Sequence, residues 1–382
     1  MKKFYDIQAE EEKKTRAFLV GLPLLENPGG LAELSGLVWT LGMEEAGQCL
    51  LSRMDVQPAY GMGSGKAKEI CQKAQEAQAD CIIMDWELDP TKQRNWEKLS
   101  KIPVFDRQEV IIRIFASRAS TKEAVLQVEL ARLEYSLPRL AHMYGDLARQ
   151  RGGNYGAKGA GEKQLELDRR QTRQKIQQLK EELKKVRQNR ATQRKRRQKI
   201  PLPSVALCGY TNAGKSSLMN ALTGSGTLVE NKLFATLDPL TRRIKIAEKE
   251  ILLTDTVGFI SNLPHQLIDA FKSTLEEAAL SDALLLVIDS SDPNALEETK
   301  TVKNVLKEIG AEEKKSLVVL NKADLLEGKN GEEAASFLAL KKEFPDALEI
   351  SAKTGRGLKE LKSAISAVFE KNKAAIEKLE NC

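Results

Sequence analysis

The nonapeptide "GYTNAGKSS", Gly209 to Ser217, constrains this chain more than any other stretch. It contains G-x-x-x-x-G-K-S, directly follows the apolar run "SVALC", and opens a helical pattern. A strand, a glycine loop and a helix in that order make a phosphate-binding loop. The glycines let backbone N–H groups converge on phosphate oxygens, and the helix N-terminus adds partial positive charge. Around it, "RRIKIA", "EILLTDT", "ALLLVID", "SLVVLN" and "ALEIS" read as further strands. Helices are expected near 215–222, 266–280, 295–309, 332–343 and 357–371. The alternation predicts an α/β domain with a mixed, mainly parallel sheet and helices on both faces.

Within that domain, Lys215 is expected to reach the outer phosphates, and the Ser216 hydroxyl to ligate magnesium. The base is chosen elsewhere. "NKAD", Asn321 to Asp324, follows the strand "SLVVL". The Asp324 carboxylate can accept from both the N1–H and the exocyclic amine of guanine, a donor pair that adenine lacks. "SAK", Ser351 to Lys353, follows the last strand, where N–H groups can meet guanine O6. "DTVG", Asp255 to Gly258, supplies a carboxylate behind the magnesium shell and the Gly258 amide for the γ-phosphate. Between them lies "ATLDPLTRR", too polar for a core strand, where Thr236 is the candidate to close over magnesium and γ-phosphate and be released after hydrolysis. The predicted GTP site therefore runs over Gly209, Tyr210, Thr211, Asn212, Ala213, Gly214, Lys215, Ser216 and Ser217. It continues through Phe234, Ala235, Thr236, Leu237 and Asp238, then Asp255, Thr256, Val257 and Gly258. Asn321, Lys322, Asp324, Ser351, Ala352 and Lys353 complete it. Magnesium would be held by Ser216 and Thr236, with Asp255 behind. The catalytic set is Lys215, Thr236, Gly258 and Asn212.

At 382 residues the chain is long enough for more than one domain. Residues 1–118 are expected to form a small α/β domain. Its strands lie in "FLVGLPL", "CLLSRMDV", "CIIMDW" and "IPVFD", its helices in "LAELSGLVWTLG", "GKAKEICQKAQEA" and "QEVIIRIFASR". Residues 119–200 should form an antiparallel helical hairpin. The first helix carries an apolar stripe through Val125, Val128, Leu133, Leu137, Leu140, Tyr144 and Leu147, bent or interrupted at Pro138. The glycine-rich "GGNYGAKGAG" should be a loop, and Leu165, Thr172, Ile176, Leu179, Leu183 and Val186 mark the second helix. Residues 201–372 are the nucleotide domain and 373–382 a tail.

Charge separates these regions. Residues 151–200 hold 17 Lys and Arg against 5 Asp and Glu, a balance of +12, whereas the rest of the chain carries −6. Such a segment is either a solvated helix face or a polyanion-binding surface. A second glycine stretch, "GMGSGKAKE", lacks the phosphate-loop spacing and reads as punctuation before a helix, with an ATP site as the lesser alternative. The five cysteines show no CxxC spacing, and no apolar run is long enough to span a bilayer. A cytoplasmic monomer is expected.

Taken together, the chain resembles the HflX-family GTPases. The resemblance rests on "GYTNAGKSSLMNALT", "LFATLDPLTRR", "LTDTVGFISNLP" and "FKSTLEEA", and upstream on "DRQEVIIRIFASRAS", "LQVELARLEYSLPRL" and "GAGEKQLELDRR". It covers roughly residues 15–370, and the upstream motifs separate this family from GTPases that share only the nucleotide loops. It implies GTP hydrolysis coupled to binding the large ribosomal subunit, and the splitting of stalled or idle ribosomes. A GTP-dependent assembly or silencing factor that holds the large subunit without splitting is the alternative, and a metabolic GTPase whose basic helix binds an acidic protein is a third. Contacts to rRNA would fall to Tyr155, Lys158, Arg169, Arg170, Arg173, Arg194, Lys195, Arg196 and Arg197. By the same resemblance Asn212 matches an asparagine that helps hold potassium in cation-activated GTPases; shaping the loop is its other reading. Phe259 follows "DTVG" where many GTPases place a water-orienting glutamine, so slow intrinsic hydrolysis, stimulated by the ribosome, is expected. Ser217 replaces a threonine common in the family, and an extra C-terminal domain of some members is not expected.

Overall fold

The computed structural model describes residues 14–22, 30–52, 57–150, 158–197, 202–224, 233–234, 236–237, 239–246, 249–261, 277–326 and 332–380. The chain divides into two compact units: Met1–Ile114 with Leu133–Arg173, and Phe115–Arg132 with Gln174–Cys382.

The first unit is built on four parallel strands in the order β2-β1-β3-β4: β1 (Arg16–Gly21), β2 (Glu44–Leu50), β3 (Cys81–Met84) and β4 (Val104–Asp106). Every residue of "CIIM" in β3 is buried, as a strand inside a parallel sheet requires. Between the strands run α1 (Gly30–Thr40), α2 (Ser64–Glu76) and α3 (Pro90–Ser100), and α4 (Arg107–Arg118) follows β4. Helix α3 is absent from the sequence expectation, although its start is encoded. Asp89 accepts a hydrogen bond from the Lys92 amide at 2.9 Å, and Pro90 occupies the first turn. Its low apolar content hid it; only Trp96 and Ser100 are buried. The glycines of "GMGSGKAKE" serve α2: Gly63 is its N-cap residue, and Lys66 pairs with Glu69 at 3.0 Å.

Two long helices follow, α5 (Lys122–Gln150) and α6 (Lys158–Arg197). Pro138 does not interrupt α5, because the residues on either side of it are fixed by the sheet of the first unit. The Tyr135 hydroxyl donates to Asp106 at 3.0 Å, and Arg139 donates to Asp106 (3.0 Å) and to the Leu88 carbonyl (2.8 Å). Tertiary contacts thus override the loss of one helical hydrogen bond. The predicted stripe needs correction at Val125, which is exposed, whereas Ala124, Gln127, Val128, Leu130, Ala131 and Tyr135 are buried. In α6, Leu179 and Leu183 are buried and Leu165, Thr172, Ile176 and Val186 half-buried, following the predicted heptad positions. The glycine stretch is loop over less of its length than expected, since α6 already includes Gly159 and Gly161. A glycine costs a helix only about 1 kcal/mol, which a helix of 40 residues absorbs.

Among the described residues, the second unit has a six-stranded sheet in the order β10-β9-β8-β5-β7-β6. These are β5 (Ser204–Cys208), β6 (Leu240–Ile246), β7 (Lys249–Asp255), β8 (Ala283–Asp289), β9 (Ser316–Asn321) and β10 (Leu348–Glu349). All pair in parallel except β6, which runs antiparallel to β7. Helices α7 (Lys215–Thr223), α8 (Ala295–Glu308), α9 (Glu332–Glu343) and α10 (Leu358–Glu380) accompany them. The core gathers Val205, Leu207, Leu218, Leu253, Leu285, Val287, Ile350, Leu361 and Ile365. Strand β5 has β7 on one side and β8 on the other, so the strand order reverses there. Open α/β sheets bind ligands at such a switch point, beyond the carboxyl ends of the strands. Helix α10 continues to Glu380, past the predicted end at 371, because "KNKAAIEKLE" is rich in strong helix formers. Among the described residues, no helix is long and apolar enough to cross a membrane.

Candidate nucleotide site

The phosphate loop leaves β5 and enters α7 through Gly214, at φ 89°. A side chain there would collide with Asn321 Nδ2, so glycine is required on both conformational and steric grounds. Lys215 follows, 6 % exposed, and its ammonium donates to the carbonyls of Gly209 (3.0 Å) and Tyr210 (2.6 Å). Burial holds its pKa down to about 8. Phosphate oxygens brought against it would restore the charged form.

Three chain segments meet next to Lys215. Ser216 Oγ lies 2.8 Å from Thr236 Oγ1, and both hydroxyls donate to Asp255 Oδ2, at 2.7 and 2.9 Å. Burial pushes the Asp255 carboxyl up, while Lys215 and the two hydroxyls pull it down. Its other oxygen, Oδ1, is buried without a hydrogen-bond partner. Neighbouring oxygens of an octahedral magnesium, each about 2.1 Å from the ion, stand about 3 Å apart. This cluster of hard oxygens around a buried carboxylate therefore has the chemistry and spacing that could hold Mg2+.

The segment after β7 is zipped to the phosphate loop. Phe259 accepts from the Thr211 amide at 2.7 Å and donates to the Gly209 carbonyl at 3.2 Å. The Ser261 amide donates to the Tyr210 hydroxyl at 2.6 Å. Gly258 is held so close that a Cβ would stand 2.9 Å from Lys215 Nζ and from Thr211 Cα.

On the other side, Asn321 ties its own loop to the phosphate loop and to the loop after β10. Its Nδ2 donates to the Ala213 carbonyl at 2.9 Å, and its Oδ1 accepts from the Ala352 amide at 3.0 Å. Lys322, at φ 62°, pairs with Asp289 at 2.6 Å. Asp324 opens toward the site from a 3-10 turn (Ala323–Leu326), and its Oδ1 is buried with no hydrogen-bond partner.

These elements enclose a cavity of about 590 Å³. It is lined by the predicted Thr211, Asn212, Gly214, Lys215, Ser216, Ser217, Phe234, Thr236, Thr256, Gly258, Asn321, Lys322, Asp324, Ala352 and Lys353. Leu325, absent from the expected set, lines it too, and its place next to Asp324 is the signal for it. Gly209, Tyr210, Ala213, Leu237, Asp255, Val257 and Ser351 are buried behind the wall. Ala235, Asp238 and Tyr155 lie outside the described residues, as do the side chains of Lys158, Arg194, Lys195, Arg196 and Arg197. Arg170 and Arg173 are exposed on α6 and Arg169 is half-buried, all in the first unit.

Known proteins carry the same combination. Family models described as "GTP-binding GTPase N-terminal", "GTP-binding GTPase Middle Region" and "50S ribosome-binding GTPase" match residues 29–116, 118–197 and 204–322. A GTPase HflX of Akkermansia muciniphila is 46% identical over 335 residues, 84% of this chain and 77% of that protein. The GTPase HflX of Escherichia coli K12 is 42% identical over 337 residues, 88% of this chain and 78% of its own length. A crystal structure of SsGBP in complex with GDP aligns with a TM-score of 0.51 at 29% identity, covering 93% of this chain and 98% of that one. The chain is a P-loop GTPase that binds guanine nucleotides and hydrolyses GTP, and it belongs to the HflX family.

Proposed function

We propose that this GTPase binds the large ribosomal subunit and uses its nucleotide cycle to split stalled or idle ribosomes. The observation that carries the reading is α6, whose Arg170, Arg173, Lys175, Lys180, Lys184 and Lys185 are all exposed, in a chain matching a 50S ribosome-binding GTPase model. Exposed cations on one helix suit rRNA phosphates, and residues 119–200 would form the contact while 201–372 hold the nucleotide. A ribosomal partner implies a cytoplasmic location.

In this reading Ser216 and Thr236 hold Mg2+, Asp255 fixes both hydroxyls, and Lys215 and the Gly258 amide meet the γ-phosphate. The ion would neutralise charge developing on the phosphate oxygens. Asp324 accepts from the guanine edge, and residues 351–353 face its O6, with the Ala352 amide kept on Asn321 Oδ1. Phe259 is 2 % exposed and its main chain is already committed, so it orients no water. Hydrolysis is therefore slow until the ribosome completes the site.

Thr236→Ala should leave GDP affinity within about twofold and lower GTP turnover by about 10- to 100-fold, because the interaction belongs to the closed, triphosphate-bound switch. Fluorescent-nucleotide titration and single-turnover hydrolysis read the two effects. Equal losses for GDP and GTP would mean a folding defect instead.

Asn212, exposed at φ 62° on the cavity rim, is the residue through which potassium would act. A cation beside the β- and γ-phosphates stabilises transition-state charge much as an arginine finger does. Replacing sodium by potassium at constant ionic strength should accelerate hydrolysis, and Asn212→Ala should abolish the gain. A wild-type rate indifferent to the cation removes this role.

The ribosomal reading is tested by incubating the protein with 70S particles and GTP and resolving subunits on a gradient. Splitting supports it, and co-migration with intact large subunits alone supports a holding factor. Deleting residues 153–160 should abolish splitting while sparing intrinsic hydrolysis. Binding should weaken steeply with salt, since each neutralised phosphate contributes about 0.7–0.9 to the slope of log K against log salt. A loop-deleted protein that splits at the wild-type rate returns the basic segment to a solvated linker.

A further inference from the structure

Phe234 lies two residues before Thr236 and adopts φ 55°, a left-handed conformation that a bulky residue keeps only when its surroundings impose it. Its ring is 2 % exposed, lines the nucleotide cavity, and packs edge to face on Phe115, with centroids 4.6 Å apart and planes at 77°. Phe115 lies in the last turn of α4, 1 % exposed, and belongs to the same compact unit as the nucleotide site. Leu237, on the far side of Thr236, is 3 % exposed. The threonine is therefore flanked by two buried anchors while its hydroxyl reaches Ser216 and Asp255. With so short a tether, a shift of the Phe234 backbone away from Phe115 would carry the hydroxyl away from that cluster.

We propose that Phe115 is a positioning residue for GTP hydrolysis: it seats the Phe234 ring and thereby holds the Thr236 hydroxyl at Ser216 and Asp255. The last turn of α4 sets how much of the protein has this switch closed. No nucleotide motif reveals this role, since Phe115 stands more than a hundred residues upstream of the segment it anchors. The proposal rests on the reading of Thr236 as a ligand of the magnesium ion.

Phe115→Leu tests it, because leucine keeps apolar bulk and helix propensity but loses the ring edge. Edge-to-face pairs are worth up to about 10-fold in an equilibrium beyond the area they bury. Turnover at saturating GTP should fall by roughly that factor, and the Mg2+ concentration for half-maximal activity should rise correspondingly. GDP affinity should stay within about twofold, a split that general destabilisation does not produce. In a Thr236→Ala background the same change should cost less than about twofold more, because the hydroxyl it positions is gone. Unchanged turnover in Phe115→Leu, equal losses for GTP and GDP, or a fully multiplicative effect on Thr236→Ala would each overturn the proposal. Should the leucine variant melt below the assay temperature, Phe115→Met carries the same measurements. Thr236→Ala with wild-type turnover overturns the Thr236 reading and this proposal with it. An impaired Thr236→Ala beside an unimpaired Phe115→Leu overturns only the positioning role.

Discussion

Asp324→Asn is expected to weaken GTP and GDP binding by about 100- to 1,000-fold while leaving the melting temperature of the nucleotide-free protein almost unchanged. Each hydrogen bond to a charged acceptor contributes about 1.5–3 kcal/mol, and the guanine edge offers two donors to this one carboxylate. Asp324 makes no ion pair with a neighbouring side chain among the described residues, and its Oδ1 is buried and unpartnered. The carboxylate therefore does little for the empty fold, and its proposed role is toward the ligand. Asparagine keeps the shape but turns one acceptor into a donor, facing the guanine amine with an N–H. Xanthine carries a carbonyl at that position, so xanthosine nucleotides should gain affinity as guanosine nucleotides lose it. Calorimetric titration with GTP and XTP on the same preparation reads the exchange. Unchanged GTP affinity would remove Asp324 from base recognition.

The nucleotide loops were legible because their chemistry is local. Gly214, Lys215 and Ser216 must be contiguous to cradle phosphates at a helix start, and Asn321 to Asp324 must end a strand. Each strand of the second unit was equally visible as an apolar run between turn formers. Residues whose role depends on distant partners were not legible. Phe115 reads as one more apolar residue on an amphipathic helix, and only the fold brings its ring to Phe234. Tyr210 could be placed in the loop, but not its hydroxyl on the Ser261 amide. Helix α3 escaped for the opposite reason. Its cap at Asp89 and Pro90 is a clear start signal, but a mostly exposed helix offers no apolar period to follow it. Pro138 misled because a local rule was outvoted by Tyr135 and Arg139, which lock α5 onto Asp106.

Asn321→Ala should do what Asp324→Asn does not: destabilise the empty protein as well as its complexes. Asn321 is 1 % exposed and spans three loops, donating to the Ala213 carbonyl and accepting from the Ala352 amide. Its own carbonyl accepts from the Ser290 amide (2.9 Å) and hydroxyl (2.6 Å), contacts that the substitution leaves in place. Alanine removes both side-chain bonds and strands one acceptor and one donor. A buried polar group left unpaired costs about 1–3 kcal/mol, so the loss for the two should total about 2–6 kcal/mol. For a domain of this size that lowers the melting temperature by about 5–15 °C. GTP and GDP affinities should fall together, because the tie holds the phosphate loop and the base loop in register without distinguishing the γ-phosphate. Asn321→Asp should be worse: it keeps the acceptor for Ala352 but sets a carboxylate against the Ala213 carbonyl, with no proton between them. Thermal melts with and without GDP separate the two contributions. Wild-type melting together with wild-type GDP affinity in Asn321→Ala would mean that the loops hold their register through the sheet alone.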